Sequence, residues 1–278
     1  MKKSCFHLIL AIALAGGNLM AEDNASILKK ENRWQLRNDV VDMSLVFAKG
    51  SIDLASFRNI KAAVDYVEPD NKGHLFSHVC NDSLVRADDG GWVLEGDEIS
   101  DIELYGKRWG KRLEIRLARK APVNMNVRLF FELYHGSAGI RCGSFVKNNE
   151  DKEVRISASD VIAPNFANKP HKLHYIEGRL NWKETDAGIS YGGRNCIARY
   201  DSGDGWFIVP ENNWATCLEP GPNKGDENHK LTYIQAWDGN HVVRVATDPL
   251  AVQLILFPSE EVEYFSVNLG GAFNFPLI

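Results

Sequence analysis

The sequence predicts an all-β protein, an antiparallel β-sandwich of many strands, and three observations lead there. Apolar and polar residues alternate with period two through nearly the whole chain. Gly, Asn, Asp and Ser clusters interrupt the alternation at short intervals, as hairpin turns require. No helical periodicity of useful length occurs after the first twenty or so residues. Two stacked sheets are the expected arrangement.

The N-terminus stands apart. Lys2 and Lys3 precede an apolar run from Phe6 to Ala15, followed by small and polar residues up to Ala21. A basic start, a short apolar centre and a small residue at the end make a secretory signal peptide, expected over residues 1–21, with residues 22–278 as a single domain. The apolar run is too short to span a bilayer, and Cys5 lies too early to be a lipoprotein cysteine. The expectation is an exported protein, periplasmic or extracellular, with no membrane span.

From Asp39 to Asn59, "DVVDMSLVFAKGSIDLASFRN" alternates and breaks at Lys49-Gly50. "GWVLEGDEISDIELYGKRWGKRLEIRLARK" predicts three strands, punctuated at Gly96 and at Gly106 to Gly110. Three more are expected in "VNMNVRLFFELYHGSAGIRCGSFVKNNEDKEVRISASDVIA". Hairpins follow around Ser202-Gly203-Asp204-Gly205 and around Asp238-Gly239-Asn240, and "AVQLILFPSEEVEYFSVNLGG" closes the set. Within this series, "YHGSAG" invites comparison with a hydrolase nucleophile elbow, G-x-S-x-G. His135 takes the place of the first glycine, and the following "IRCGSFV" is strand-like rather than helical. Ser137 is therefore expected to be a loop serine.

Composition excludes some functions. The formal charge is −5, and loss of Lys2 and Lys3 with the signal peptide takes it to −7. Nucleic-acid binding rests on basic surface, so no nucleic-acid partner is expected. Cys80, Cys142, Cys196 and Cys217 remain after cleavage. Their long spacings match no metal pattern. An oxidising compartment permits disulfides, whose pairing the sequence leaves open. His171 and His174 stand at i, i+3 at a strand start and would point to opposite faces, against a shared metal. No phosphate loop, dinucleotide fingerprint or EF-hand loop is present, so no cofactor is expected.

The segment "VRLFFELYHGSAGIRCGSFVKNNEDKEVRISASD" resembles a pattern in the N-terminal β-supersandwich of family-36 α-galactosidases and their relatives. The matching residues are Tyr134, Ile140, Arg141, Asn148 or Asn149, and the alternating Val154-Arg155-Ile156. "WQLRNDVVDMSLVFAKGSIDLASFRN" resembles the opening strands of that domain. "LILFPSEEVEYFSVNLGGAF" resembles its closing segment, with Pro258-Ser259-Glu260 where the family has Pro-Gly-Glu. The resemblance spans most of Arg33 to Phe273 and implies an antiparallel β-supersandwich of the galactose-mutarotase-like class. In that family a following barrel carries both catalytic carboxylates. This sequence reaches Ile278 directly after the sandwich, so a module without the barrel is expected and glycosidase activity does not transfer.

The carboxylates of turns such as "NNEDKE" and "DEISD" are expected to be solvated charge. The stretch from Gly203 to Trp237 differs. It holds Trp206, Trp214 and Trp237 with a long polar loop. Trp206 and Trp237 alternate with apolar neighbours and are expected in the core. Trp214 is flanked by Asn212 and Asn213, and Glu219, Asp226, Glu227 and His229 follow. Aromatic faces stack on sugar C–H surfaces while carboxylates and amides bond hydroxyls, so Trp214, Glu219, Asp226, Glu227 and His229 are the candidate carbohydrate-binding residues. Pro220 and Pro222 stiffen the loop. The function expected is a secreted carbohydrate-binding or glycosidase-associated module. Its partners would be an oligo- or polysaccharide and a separate glycosidase catalytic chain. Two alternatives fit the same sequence. An aldose epimerase built on the sandwich alone would pair Glu219 as base with His229 or His135 as acid, although the mutarotase histidine motif is not recognisable. An envelope interaction protein would need no ligand.

Overall fold

The computed structural model describes residues 24–67, 73–166, 172–177, 181–186, 196–211, 232–236, 243–247 and 254–273. Every regular element among them is a β-strand. The first are β1 (Ser26–Lys30), β2 (Arg33–Arg37), β3 (Val41–Ala48), β4 (Ser51–Asn59) and β5 (Val64–Asp65). Then come β6 (Gly73–His74), β7 (Ser77–Cys80), β8 (Ser83–Arg86), β9 (Val93–Leu104), β10 (Lys107–Arg119), β11 (Met125–Tyr134), β12 (Gly139–Asn148) and β13 (Val154–Pro164). The last are β14 (Lys172–Glu177), β15 (Asn181–Asp186), β16 (Cys196–Arg199), β17 (Asp204–Pro210), β18 (Thr232–Ala236), β19 (Val243–Thr247), β20 (Leu254–Leu256) and β21 (Glu261–Phe273).

All pairings between named strands are antiparallel, and they form three sheets rather than the two expected. The first runs β1-β2-β3-β4-β5. The second has nine strands in the order β15-β14-β16-β17-β21-β12-β11-β10-β9. The third runs β18-β19-β13-β7-β8, with β6 and β20 also on β13. In the nine-stranded sheet β21 comes from the far end of the chain and lies between β17 and β12, so the closing segment sits at the sheet centre. The long β9 forms one edge.

Alternation decides which side of each strand is buried. On β10, Leu113, Ile115 and Leu117 are fully buried, whereas Arg112, Glu114 and Arg116 face the other way. Val127, Leu129, Phe131 and Leu133 of β11 share the inner side with Ile140, Cys142 and Val146 of β12. These join Trp34, Leu36, Met43, Leu45 and Phe57 of the first sheet and Val154 and Ile156 of the third in one contiguous core. At about 1.5–3 kcal/mol for each large apolar side chain removed from water, this burial dominates the stability of the fold. Trp206 is 1% exposed and belongs to this core, as its alternation indicates. Trp237 lies outside the described residues.

Of the breaks expected at Gly96 and at Gly106 to Gly110, the first is a bulge instead, while the second begins at a true hairpin turn, Tyr105-Gly106, and runs into a bulge. Gly96 lies inside β9 and Gly110 inside β10, each beside a register shift in the β9–β10 ladder. The Lys49-Gly50 break is a true hairpin turn, with φ of 52° and 74°. The later hairpin turns at Tyr200–Gly203, while Asp204 and Gly205 already belong to β17. The hairpin partners β18 and β19 are present, and their turn at 238–240 lies outside the described residues. Cys80 and Cys142 carry free, buried thiols, both pushed up to about 12 by burial.

A candidate ligand face on the nine-stranded sheet

The antiparallel register aligns the outward residues of β10, β11, β12, β21 and β17 in rows across the sheet. The end row reads Gly110, Tyr134, Gly139, Gly270, Phe207, where Tyr134 and Gly139 stand one residue past the last β11–β12 pair, Leu133 with Ile140. The next reads Arg112, Glu132, Arg141, Asn268, Val209. A third brings Glu114, Phe130, Gly143 and Ser266 together, and the Glu211 N–H donates to the Ser266 carbonyl at 3.0 Å.

Glycine shapes the end row. A Cβ on Gly270 would fall 2.1 Å from Phe207 Cζ, and one on Gly139 would fall 3.0 Å from the same atom. The half-buried Phe207 ring therefore lies across two glycines, with Tyr134 one strand beyond Gly139. Gly143 does the same for Phe130, whose ring carbon would be 2.7 Å from an added Cβ. Arg112 and Arg141 each place their guanidinium 4.8 Å from the centre of the Phe130 ring.

The second and third rows form one ion-pair network. Arg141 Nε donates to both Glu211 oxygens at 2.8 and 2.9 Å, and its Nη1 lies 3.1 Å from Glu132 Oε2. Arg112 Nη1 reaches Glu132 Oε1 at 2.7 Å, and its Nε reaches Glu114 Oε1 at 2.9 Å. Tyr134 donates its hydroxyl to Glu132 Oε2 at 3.0 Å. Ser266 Oγ and Asn268 Nδ2 donate to Glu211 at 2.5 and 3.2 Å. Burial alone would raise the Glu211 carboxyl, but Arg141 and Ser266 outweigh it and hold the group below the usual carboxylate range. Glu114 is held down in the same way by Arg112 and Arg128. Burial, with Glu132 beside it, pushes the Tyr134 phenol up to about 12. Glu114 and Glu211 thus stay ionised and occupied at neutral pH. The face presents charges that are already paired and held in fixed positions.

YHGSAG is the β11–β12 turn at the end of this face. Ser137 Oγ accepts from the Gly139 N–H at 3.1 Å and donates to the Gly139 carbonyl at 2.9 Å. Gly136 sits at φ 65°. His135 Nδ1 accepts the Ala25 N–H at 3.0 Å. Ser137 is a turn residue bonded within its own loop. Among the residues that carried the family resemblance, Tyr134 and Arg141 belong to the network. Asn148 is 1% exposed and pins the next turn, donating to the Lys152 and Leu256 carbonyls at 2.8 and 2.9 Å.

Trp214, Glu219, Asp226, Glu227 and His229 all lie outside the described residues, as do His171 and Cys217. In the sequence the candidate carbohydrate-binding residues follow Glu211, which belongs to the network. The expectation that carboxylates would be solvated turn charge overlooked Glu114, Glu132 and Glu211. Their signal was charge of both signs repeating at every second residue, as in Arg112-Glu114-Arg116, where a merely solvated face carries no such order.

A second polar cluster lies in the third sheet. His74 Nε2 is 2.7 Å from Asp160 Oδ2, which Ser77 Oγ also reaches at 2.8 Å. His78 Nδ1 pairs with Ser159 Oγ at 2.8 Å, and its Nε2 is buried without a partner. Burial lowers the His78 pKa to about 4, so its ring is neutral. Among the described residues no group of His, Cys, Asp and Glu could hold a metal ion. No helix among them is long and apolar enough to cross a membrane.

The sequence matches no protein-family model and no curated protein. Solved structures are similar in fold. The galactosidase domain of the α-galactosidase–sucrose kinase AgaSK superposes with a TM-score of 0.65 at 13% identity, over 89% of this chain and 42% of that one. The GH36 α-galactosidase AgaB from Geobacillus stearothermophilus gives 0.64 at 12%, over 90% and 41%. The α-galactosidase from Lactobacillus brevis gives 0.64 at 8%, over 87% and 39%. The chain spans about two-fifths of the length of these enzymes. At such identities the likeness establishes the fold, a galactose-mutarotase-like all-β sandwich, as the sequence resemblance implied.

Proposed function

We propose that the chain is an exported carbohydrate-binding sandwich, with its ligand seated across the end row of the nine-stranded sheet. The observation that carries this is the Phe207 ring lying on Gly139 and Gly270 beside Tyr134 and the Glu132–Arg141–Glu211 network. A flat aromatic surface next to fixed polar groups is the mixture a saccharide needs, apolar on its C–H face and polar at its rim. The network holds its side chains in place before the ligand arrives, which lowers the entropic cost of binding. Support from the comparisons is indirect: the proteins that share the fold are named as α-galactosidases.

Screening of the full secreted chain on a glycan array, followed by affinity electrophoresis in neutral polysaccharide gels, tests the proposal. Retention of at least one glycan is expected, with Phe207→Ala weakening it about tenfold or more, roughly 1.4 kcal/mol. Absence of any retained glycan overturns the proposal. Retention that Phe207→Ala leaves unchanged moves the site elsewhere.

A further inference from the structure

The β9–β10 hairpin runs past the end of β11. Gly110 is the last β10 residue paired with β11, opposite Tyr134, while Lys107 and Arg108 pair only with Leu104 and Glu103 of β9. The overhang ends in a two-residue turn, Tyr105-Gly106, with φ of 54° and 71°. Both positions are left-handed, a geometry that suits Asn-Gly or Asp-Gly and disfavours a bulky side chain. Tyr105 occupies the first of them and is 99% exposed, so no packing within the chain offsets its strain. Leu104 and Trp109 beside it are also exposed. Trp109 Nε1 donates to the Leu104 carbonyl at 3.0 Å, which fixes the indole at the base of the tip.

The tip is continuous with the end row. The Trp109 carbonyl accepts the His135 N–H at 3.0 Å, so the overhang is joined to the turn that follows Tyr134. Part of the nearby charge is internally occupied: Asp101 takes both Arg108, at 3.3 Å, and Lys111. From β10 to β17 the row crosses four strand spacings, roughly 19 Å. A single sugar on Phe207 therefore cannot reach Tyr105, whereas a chain of several sugars laid along the row can. A strained, solvent-exposed aromatic at a hairpin tip is accounted for by a function outside the fold.

We infer that Tyr105, with Trp109 at its base, forms an outer stacking subsite, and that the ligand is an uncharged oligosaccharide or polysaccharide chain rather than a monosaccharide. This rests on the carbohydrate reading of the same face. Titration calorimetry of the full chain with galacto-, gluco- and manno-oligosaccharides, from monosaccharide to hexasaccharide, tests it. Tyr105→Asn is the variant of choice, because asparagine adopts the left-handed turn readily and leaves the hairpin intact, to be checked by an unchanged or raised melting temperature. For the wild type, affinity is expected to rise with chain length. In Tyr105→Asn, the longer ligands should bind about fivefold more weakly while the shortest bound ligand is unaffected. Length dependence that survives Tyr105→Asn, or an equal loss for short and long ligands, overturns the subsite and leaves the carbohydrate reading standing. Binding of no member of the series by the wild type overturns both.

Discussion

Arg141 shows how one side chain can organise a surface. It bonds Glu211 and Glu132 and lies 3.5 Å from Glu263. Removing it leaves two carboxylates facing each other without their shared cation. Arg141→Met is expected to destabilise the fold by about 2 kcal/mol, the lower part of the range for breaking a buried pair because the site is partly open to water. Urea unfolding would measure this, and Arg141→Lys should recover only part of it, since a point charge cannot replace the guanidinium fork. His78 makes a prediction about pH. Its folded pKa of about 4 lies below the ordinary 6.5. Between those values the unfolded chain binds a proton that the folded chain refuses, so stability falls as pH drops through that window, by about 3 kcal/mol at most. Denaturation midpoints at pH 7 and pH 4.5 should differ less in His78→Gln than in the wild type. The thiols of Cys80 and Cys142, buried and held protonated, should resist alkylation until the chain unfolds. Some of this was legible in sequence. Arg141 and Tyr134 stood in the motif that carried the family resemblance, and Ser137 lacked the strand-to-helix context of a nucleophile. The partners of Arg141 were not legible, because Glu211 and Glu132 are 79 residues apart in sequence and meet only through the order of strands.

At the scale of the strand, alternation located β3, β4 and β10 to β12 well, where the buried side matches the apolar half of the pattern, but it did not mark β5 to β8. It failed at Gly96, whereas the break expected from Gly106 is the β9–β10 turn. Glycine interrupts a pattern in the same way whether the chain turns or bulges, and only the neighbouring strand decides which. The glycines of the end row were invisible for the same reason, since their purpose depends on Phe207 arriving from a different hairpin. Gly270→Ala is expected to lift that ring, because the new Cβ would fall 2.1 Å from Phe207 Cζ and 2.5 Å from the Ala138 carbonyl oxygen. A cost of about 1–3 kcal/mol from overpacking should accompany weakened glycan binding. A melting curve and an affinity gel on the same sample would check both effects. Retained binding at wild-type strength would show that the ring's seat on the glycines is not needed.

For the whole molecule, no pattern in the residues announced a third sheet. A strand that exchanges partners along its length reads like any other, and β13 pairs in turn with β20, β7, β19 and β6. Sheet order is likewise a tertiary property: β21 reaches the centre of the large sheet from the far end of the chain. The open edge of that sheet has a consequence for behaviour in concentrated solution. β9 is long and presents backbone groups that another chain could pair with. It also carries the exposed Glu95, Glu98 and Glu103, so two copies brought edge to edge would set carboxylates against carboxylates. Replacing Glu95, Glu98 and Glu103 together by glutamine should leave the melting temperature nearly unchanged and raise light scattering on storage at neutral pH. Added salt, which screens those charges, should give the unaltered protein the same tendency. Its colloidal stability would then be set by a strip of charge on one strand, independently of how firmly the core is folded.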